Sequence, residues 1–178
     1  VIAHRKGNDL LDYHEYSGLR GDELANIVRK KVMEIAHYEN CDKNGIRLNI
    51  DSNGFGASLV DNLHADGYNE WQIMAIDVNS RPYHTELYNT VRDELWFELF
   101  DSVNKRNISF KKIINDKSGA LRSQFLMPLY TINGKGKKVV EPKKTTKSRT
   151  KRGSPDIADA VNLAFYEYAE GGLTITVS

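Results

Sequence analysis

Two hydrophobic periods alternate along this 178-residue chain. Val1 to Lys6 and Leu10 to Tyr16 alternate with period two and predict short strands joined at a Gly7-Asn8-Asp9 hairpin turn. Ile46, Leu48 and Ile50 predict a half-buried strand ending at Asp51, and Trp71 to Ile76 predicts another. Gly21 to Tyr38 carries Leu24, Ile27, Val28, Val32 and Ile35 at helical spacing. Further helices are expected from about 56 to 65, stopped by Asp66-Gly67, from His84 to Asn104 with Leu87, Val91, Leu95, Phe97 and Leu99 as its apolar stripe, from Ser118 to Met127, and from Pro155 to Tyr168. Leu129 to Ile132 and Val139-Val140 read as strands around an Asn133-Gly134-Lys135-Gly136 turn. Ile108 to Ile114 fits either period. Leu173 to Val177, freed by Gly171-Gly172, reads as an edge strand, a partner-binding strand or a flexible tail spanning 170 to 178. Helices alternating with strands predict one α/β domain, a central sheet with helices on both faces. Trp71, Trp96, Phe97 and Phe100 are assigned to its core.

Charge changes the picture through its distribution. With 25 basic and 24 acidic residues the total is near neutral. Between Lys135 and Arg152, however, nine Lys or Arg face the single acid Glu141, which leaves 16 basic against 23 acidic residues elsewhere. Such a segment is a polyanion address. It is read as a basic loop, 135 to 153, free of aromatic residues and suited to backbone phosphates rather than base edges. The single cysteine, Cys41, excludes an intramolecular disulfide framework and a cysteine zinc cluster and fits a reducing compartment. No apolar run approaches the roughly 20 residues of a membrane span, and no signal-peptide pattern opens the chain, so a soluble intracellular protein is expected. A start inside a strand suggests a domain whose natural chain continues upstream.

The candidate chemistry is acidic. Asp51 ends a strand at the rim of the sheet, where α/β proteins bind ligands. Gly54 and Gly56 then keep the space above the strand end open. Gly-Phe-Gly lacks the Lys-Ser/Thr ending of a nucleotide P-loop, and no Walker A pattern occurs, so ATP hydrolysis is not expected. Ser154 reads as a helix N-cap and Pro155 as N1, with Asp156 in the first turn. Asp159 lies about one turn deeper on the same helix face. Two carboxylates at this spacing repel unless a cation separates them, and oxygen donors without a cysteine or a histidine pair favour Mg²⁺ or Mn²⁺. Lys143, Lys144, Lys147, Arg149, Lys151 and Arg152 lead directly into this helix and would hold phosphates close to the metal. Asp61 reads as a structural cap or bridge, and Asp77 as a lesser rim position. Histidines 4, 14, 37, 64 and 84 lack metal-ligand spacing.

Taken together, Ile-Asp51-Ser-Asn-Gly-Phe-Gly, Val60-Asp61-Asn-Leu63, Tyr88-Asn89, Glu94-Leu95-Trp96 and the basic lead-in to Ser-Pro-Asp156-Ile-Ala-Asp159-Ala160 make the chain resemble the nuclease domain of tailed-bacteriophage terminase large subunits. The resemblance extends over roughly residues 46 to 163. It implies an RNase H-like mixed central sheet flanked by helices on both faces. The implied activity is an endonuclease that cuts concatemeric double-stranded viral DNA during genome packaging by two-metal phosphodiester hydrolysis, with two Mg²⁺ or Mn²⁺ ions. Asp51 matches the middle-strand carboxylate and Asp156 or Asp159 the helix-borne one, with Asp156 favoured for its place near the helix start and the basic arm. The implied partners are double-stranded DNA, an upstream ATPase domain that this chain does not contain, the portal and the small terminase subunit. The implied location is the host cytoplasm, transiently on the procapsid. One departure stands out: the family carries another catalytic Asp on a strand before the hairpin, and neither Asp9 nor Asp12 matches it. A non-cleaving DNA clamp, a portal-docking module and another RNase H-like nuclease such as a junction resolvase are the alternatives.

Overall fold

The computed structural model describes residues 1–113, 116, 118–166 and 173–177. Strands β1 (Ile2–Lys6) and β2 (Asp9–His14) form the expected hairpin, with a register shift between His4 and Arg5. Helix α1 (Gly21–Tyr38) follows, then β3 (Ile46–Asp51), α2 (Phe55–Ala65) and β4 (Ile73–Ile76). Next come α3 (Val91–Asn104), α4 (Ala120–Phe125) and a small hairpin of β5 (Tyr130–Ile132) and β6 (Lys138–Val140). Helices α5 (Lys143–Thr150) and α6 (Asp156–Ala164) and strand β7 (Leu173–Val177) complete the described elements. No described helix is long and apolar enough to cross a membrane.

The main sheet has the order β2-β1-β7-β3-β4. It is mixed: β7 runs antiparallel to β1 and parallel to β3, and β3 runs parallel to β4. Alternation along β3 sends Ile46, Leu48 and Ile50 to one face, where they are fully buried against Val28 and Val32 of α1 and Leu59 and Leu63 of α2. On the opposite face Ile157, Ala160, Val161 and Ala164 of α6 pack with Ala3, Leu10 and Leu99. The predicted two-faced α/β sheet is thus the observed architecture.

Several expectations are corrected. The Leu173–Val177 segment is neither an edge strand nor a loose tail; it lies inside the sheet between β1 and β3, because its backbone pairs on both sides. The ends of the expected tail, 170 to 172 and 178, lie outside the described residues. Helix α3 begins at Val91 rather than His84. Thr90 accepts from the Asp93 amide while Asp93 accepts from the Thr90 amide, and this capping box starts the helix there. Leu87 is consequently 45% exposed outside the helix. Trp71 and Phe100, assigned to the core, are exposed. The basic stretch after Pro142 is a helix, not a loop. It carries no apolar stripe, but Thr146 is fully buried on its inner side and Arg149 reaches back to Glu141. Ile108 to Ile113 forms no extended element beyond a single bridge between Asp9 and Ser109, and Ile114 lies outside the described residues.

Candidate active site at the sheet rim

Asp51 stands at the end of β3, and the backbone around it is dictated by the two glycines that follow. Gly54 has φ +61°, which L side chains rarely adopt. At Gly56 a Cβ would lie 1.6 Å from the Asp51 carbonyl oxygen. The second glycine therefore lets the first turn of α2 press against the strand end, rather than opening space for a ligand as the sequence pattern suggested. The Asp51 Oδ1 accepts from the Asn53 amide N–H at 3.0 Å and from the Asn53 side chain at 2.9 Å. The same Asn53 side chain donates to Asp77 Oδ1 at 3.1 Å, at the end of β4. Parallel pairing of β3 with β4 aligns these two strand ends, so Asp77 is a full member of the rim. Among the described residues no ion pair is recorded for either carboxylate.

Asp159 is brought to the rim by α6. Asn49 on β3 donates to the carbonyls of Leu163 (2.8 Å) and Tyr166 (3.1 Å), and the buried Arg5 guanidinium donates to the Ala164 carbonyl, so the C-terminal end of α6 is tied to the sheet. At its other end Pro155, not Ser154, occupies the N-cap. The missing side-chain cap is supplied by Gln124 of α4, whose Oε1 accepts from the Ile157 amide at 2.7 Å. Asp159 is only 9% exposed. Trp96 Nε1 donates to its Oδ1 at 2.8 Å, Arg92 Nε lies 3.7 Å away, and Lys143 Nζ sits 2.8 Å from Oδ2. Lys143 also reaches Asp156 at 3.7 Å. Burial disfavours the Lys143 ammonium, but Asp159 and then Asp156 outweigh it, and its pKa is raised above the ordinary lysine value.

Asp51, Arg92, Trp96, Lys143, Asp159 and Asn162 line one cavity of about 10 Å³, the size of a single water or small ion. Asp156 is not among its lining residues, and its side chain is about half exposed. The geometry therefore departs from the sequence preference for Asp156. Chemically, the rim offers hard oxygen donors, two of them without a cation, and a third held by an ammonium group. Among the described residues, no three rim carboxylates have oxygens all within 4.8 Å of one another. The strand beside β3 that could add another acid is β7. Its sequence, Leu-Thr-Ile-Thr-Val, has none, and its pairing ends with Val177 opposite Ile50.

The basic residues divide into two groups. Lys143 faces Asp159, Arg149 is bonded to Glu141 and to the Met127 carbonyl, and Arg152 donates to Ser123 Oγ. Lys144, Lys147 and Lys151 are exposed, and no ion pair is recorded for them among the described residues. Sequence reasoning missed Asn53, Arg92 and Trp96, and undervalued Asp77. Asn53, two residues from Asp51, is an ordinary side-chain acceptor and donor for a turn and was the one legible signal.

No protein-family model and no curated protein matches the chain. Solved structures do. The nuclease domain of the large terminase subunit gp2 of bacterial virus Sf6 is 18% identical with a TM-score of 0.68, over 94% of this chain and 81% of that one. A lysine-to-alanine variant of that domain with manganese and beta-thujaplicinol is 16% identical with a TM-score of 0.73, over the same shares. A lysine-to-alanine variant with calcium is 18% identical with a TM-score of 0.66, over 90% of this chain and 79% of that one. The chain has the RNase H-like fold of these terminase nuclease domains.

Proposed function

We propose that the chain is a metal-dependent endonuclease acting on double-stranded DNA in viral genome packaging, with Asp51 and Asp159 as its essential carboxylates. The observation that carries this reading is the convergence of the β3 and α6 carboxylates on one small rim cavity, beside a basic helix. The fold shared with the Sf6 nuclease domains, described with manganese and with calcium, supports it.

The donor set fits Mg²⁺ or Mn²⁺, because these ions take carboxylate oxygens and the rim has excess negative charge at Asp51 and Asp77. Asp51 and Asp159 would hold the metal, with Asp77 kept in place through Asn53. When bound, such ions polarise a phosphoryl oxygen and activate water, and a pair of them would stabilise both attacking and leaving oxygens. Asn53 orients two strand-end carboxylates at once. Trp96 and Arg92 fix the Asp159 rotamer, and Lys143 offsets its charge, so DNA phosphate meets a less repulsive surface. Lys144, Lys147 and Lys151 neutralise flanking phosphates without reading sequence. The host cytoplasm, an ATPase partner domain, the portal and the small terminase subunit belong to this same reading.

Incubation with supercoiled plasmid in Mn²⁺, Mg²⁺ or EDTA tests it. The expected result is metal-dependent cutting that Asp51→Asn abolishes while DNA binding is retained. Cutting in EDTA, or cutting unchanged by Asp51→Asn, would overturn the proposal. One observation favours a second reading: the acid-free β7 beside β3 suits a module that clamps DNA without cutting. Salt-dependent binding with no cleavage in any metal would establish that alternative.

A further inference from the structure

Another group of ligand-type side chains lies away from the rim cavity. We propose that His84, Glu94 and Glu98 form a second divalent-cation site, suited to a zinc-class ion that takes one imidazole nitrogen and two carboxylate oxygens. His84 Nδ1 is 2.9 Å from Glu94 Oε1 and 3.4 Å from Glu98 Oε1, and all three ligand atoms lie within 4.8 Å of one another. Atoms that each stand ~2.0 to 2.2 Å from a tetrahedral zinc ion are roughly 3.3 to 3.6 Å apart; the His84–Glu98 pair already has this spacing, and the His84–Glu94 pair, now in direct hydrogen-bond contact, would open by about half an ångström to admit the ion. Glu94 and Glu98 are one helical turn apart on α3 and share a face. Glu94 is fully buried, and its oxygens accept the backbone N–H groups of Tyr83 at 2.9 Å and His84 at 2.7 Å. Those bonds fix the carboxylate's orientation and bring the imidazole to it, as hydrogen bonds behind a metal ligand do.

A second observation bears on the cavity that His84 and Glu98 line. Asn162 is 2% exposed, among the described residues neither its amide nitrogen nor its amide oxygen has a hydrogen-bond partner, and it lines the same cavity of about 430 Å³ as His84 and Glu98. A buried amide is satisfied when the cavity holds a hydrated ion, whose water both donates and accepts. Asn162 and Leu95 also form part of the rim cavity wall. An ion here would fasten the segment carrying His84 to the helix that presents Arg92 and Trp96 to Asp159. The site stands on this geometry alone and does not depend on the nuclease reading.

The test is calorimetric titration of Zn²⁺ into the full chain carrying Asp51→Asn and Asp159→Asn, which disables the rim, and into the same background with His84→Ala or Glu98→Gln added. Both added positions are about two-fifths exposed, so neither substitution disturbs the core, and circular dichroism verifies the fold. We expect one zinc ion per chain in the rim-disabled protein, and an affinity at least ~10-fold weaker with either added substitution. X-ray absorption should show mixed nitrogen and oxygen ligation. Absence of zinc binding in the rim-disabled protein, or binding that both added substitutions leave unchanged, overturns the site and leaves His84 as a hydrogen-bonding neighbour of two carboxylates. Loss of plasmid cutting in the background variant bears only on the rim.

Discussion

Asp51 and Asp159 line the same small cavity, yet they are held there in opposite ways. Asp51 is organised by its neighbours in sequence: Asn53 satisfies its carboxylate, and Gly56 permits the turn that places it. Asp159 is organised by residues from other elements, with Trp96 and Arg92 from α3 and Lys143 from α5 around it and Asn49 and Arg5 behind its helix. A carboxylate built locally is robust to changes elsewhere in the fold. One built by four other elements reports on the packing of all of them.

The comparison can be broken most severely at the carboxylate itself. Asp159→Asn should lower plasmid cutting by at least ~100-fold, while Asp156→Asn, half exposed and outside the cavity, should cost less than ~10-fold; equal effects in a nicking assay would show that both acids serve the site. Next comes the local half. Gly56→Ala drives a methyl group into the Asp51 carbonyl, and a loss of about 3 kcal/mol or more in urea unfolding is expected, with cutting lost as well. Wild-type stability in this variant would contradict the close approach of α2 to β3.

A subtler probe sharpens the long-range half. Trp96→Phe keeps an aromatic ring and removes the 2.8 Å bond to Asp159, so about 1 to 2 kcal/mol of stability and roughly 10-fold in cutting should go, with the DNA affinity unchanged. A parallel loss of DNA affinity would instead assign Trp96 to the DNA surface. The smallest effect concerns the helix that carries Lys143. The Arg149 hydrogen bonds hold the Glu141 carboxyl down to about 2, against an ordinary value near 4.5. Because the folded value is depressed, this contribution is fully present above the unfolded value and is lost as pH falls from about 4.5 towards 2. Urea midpoints measured across that window should fall with acidification, and Glu141→Gln should flatten the fall. An identical pH profile in the variant would mean that Glu141 does not anchor α5.

Legibility in the sequence followed the same division. The hydrophobic alternation of Ile46, Leu48 and Ile50 placed Asp51 at a strand end, and the apolar face of Ile157, Ala160, Val161 and Ala164 placed Asp159 on a sheet-covering helix. Helix α1 follows its predicted bounds because a long amphipathic stripe leaves little freedom. The helical form of Lys143–Thr150 was not legible, since its support comes from Glu141 and one buried threonine rather than from periodicity. Nor was the tying of Arg149 to Glu141 and of Arg152 to Ser123.

By itself, then, the chain's pattern determined an α/β sheet with helices on both faces, an acid at a strand end, two acids opening a late helix and a basic segment before them. These are properties of short windows, fixed by period, turn chemistry and charge. Only the tertiary structure decided that Asp159 rather than Asp156 lines the cavity, that Asp77 shares Asn53 with Asp51, that Leu173–Val177 lies within the sheet, and that His84 meets Glu94 and Glu98. Each of these depends on contacts between residues remote in sequence or on pairing between strands, and local periodicity carries no information about which elements will meet.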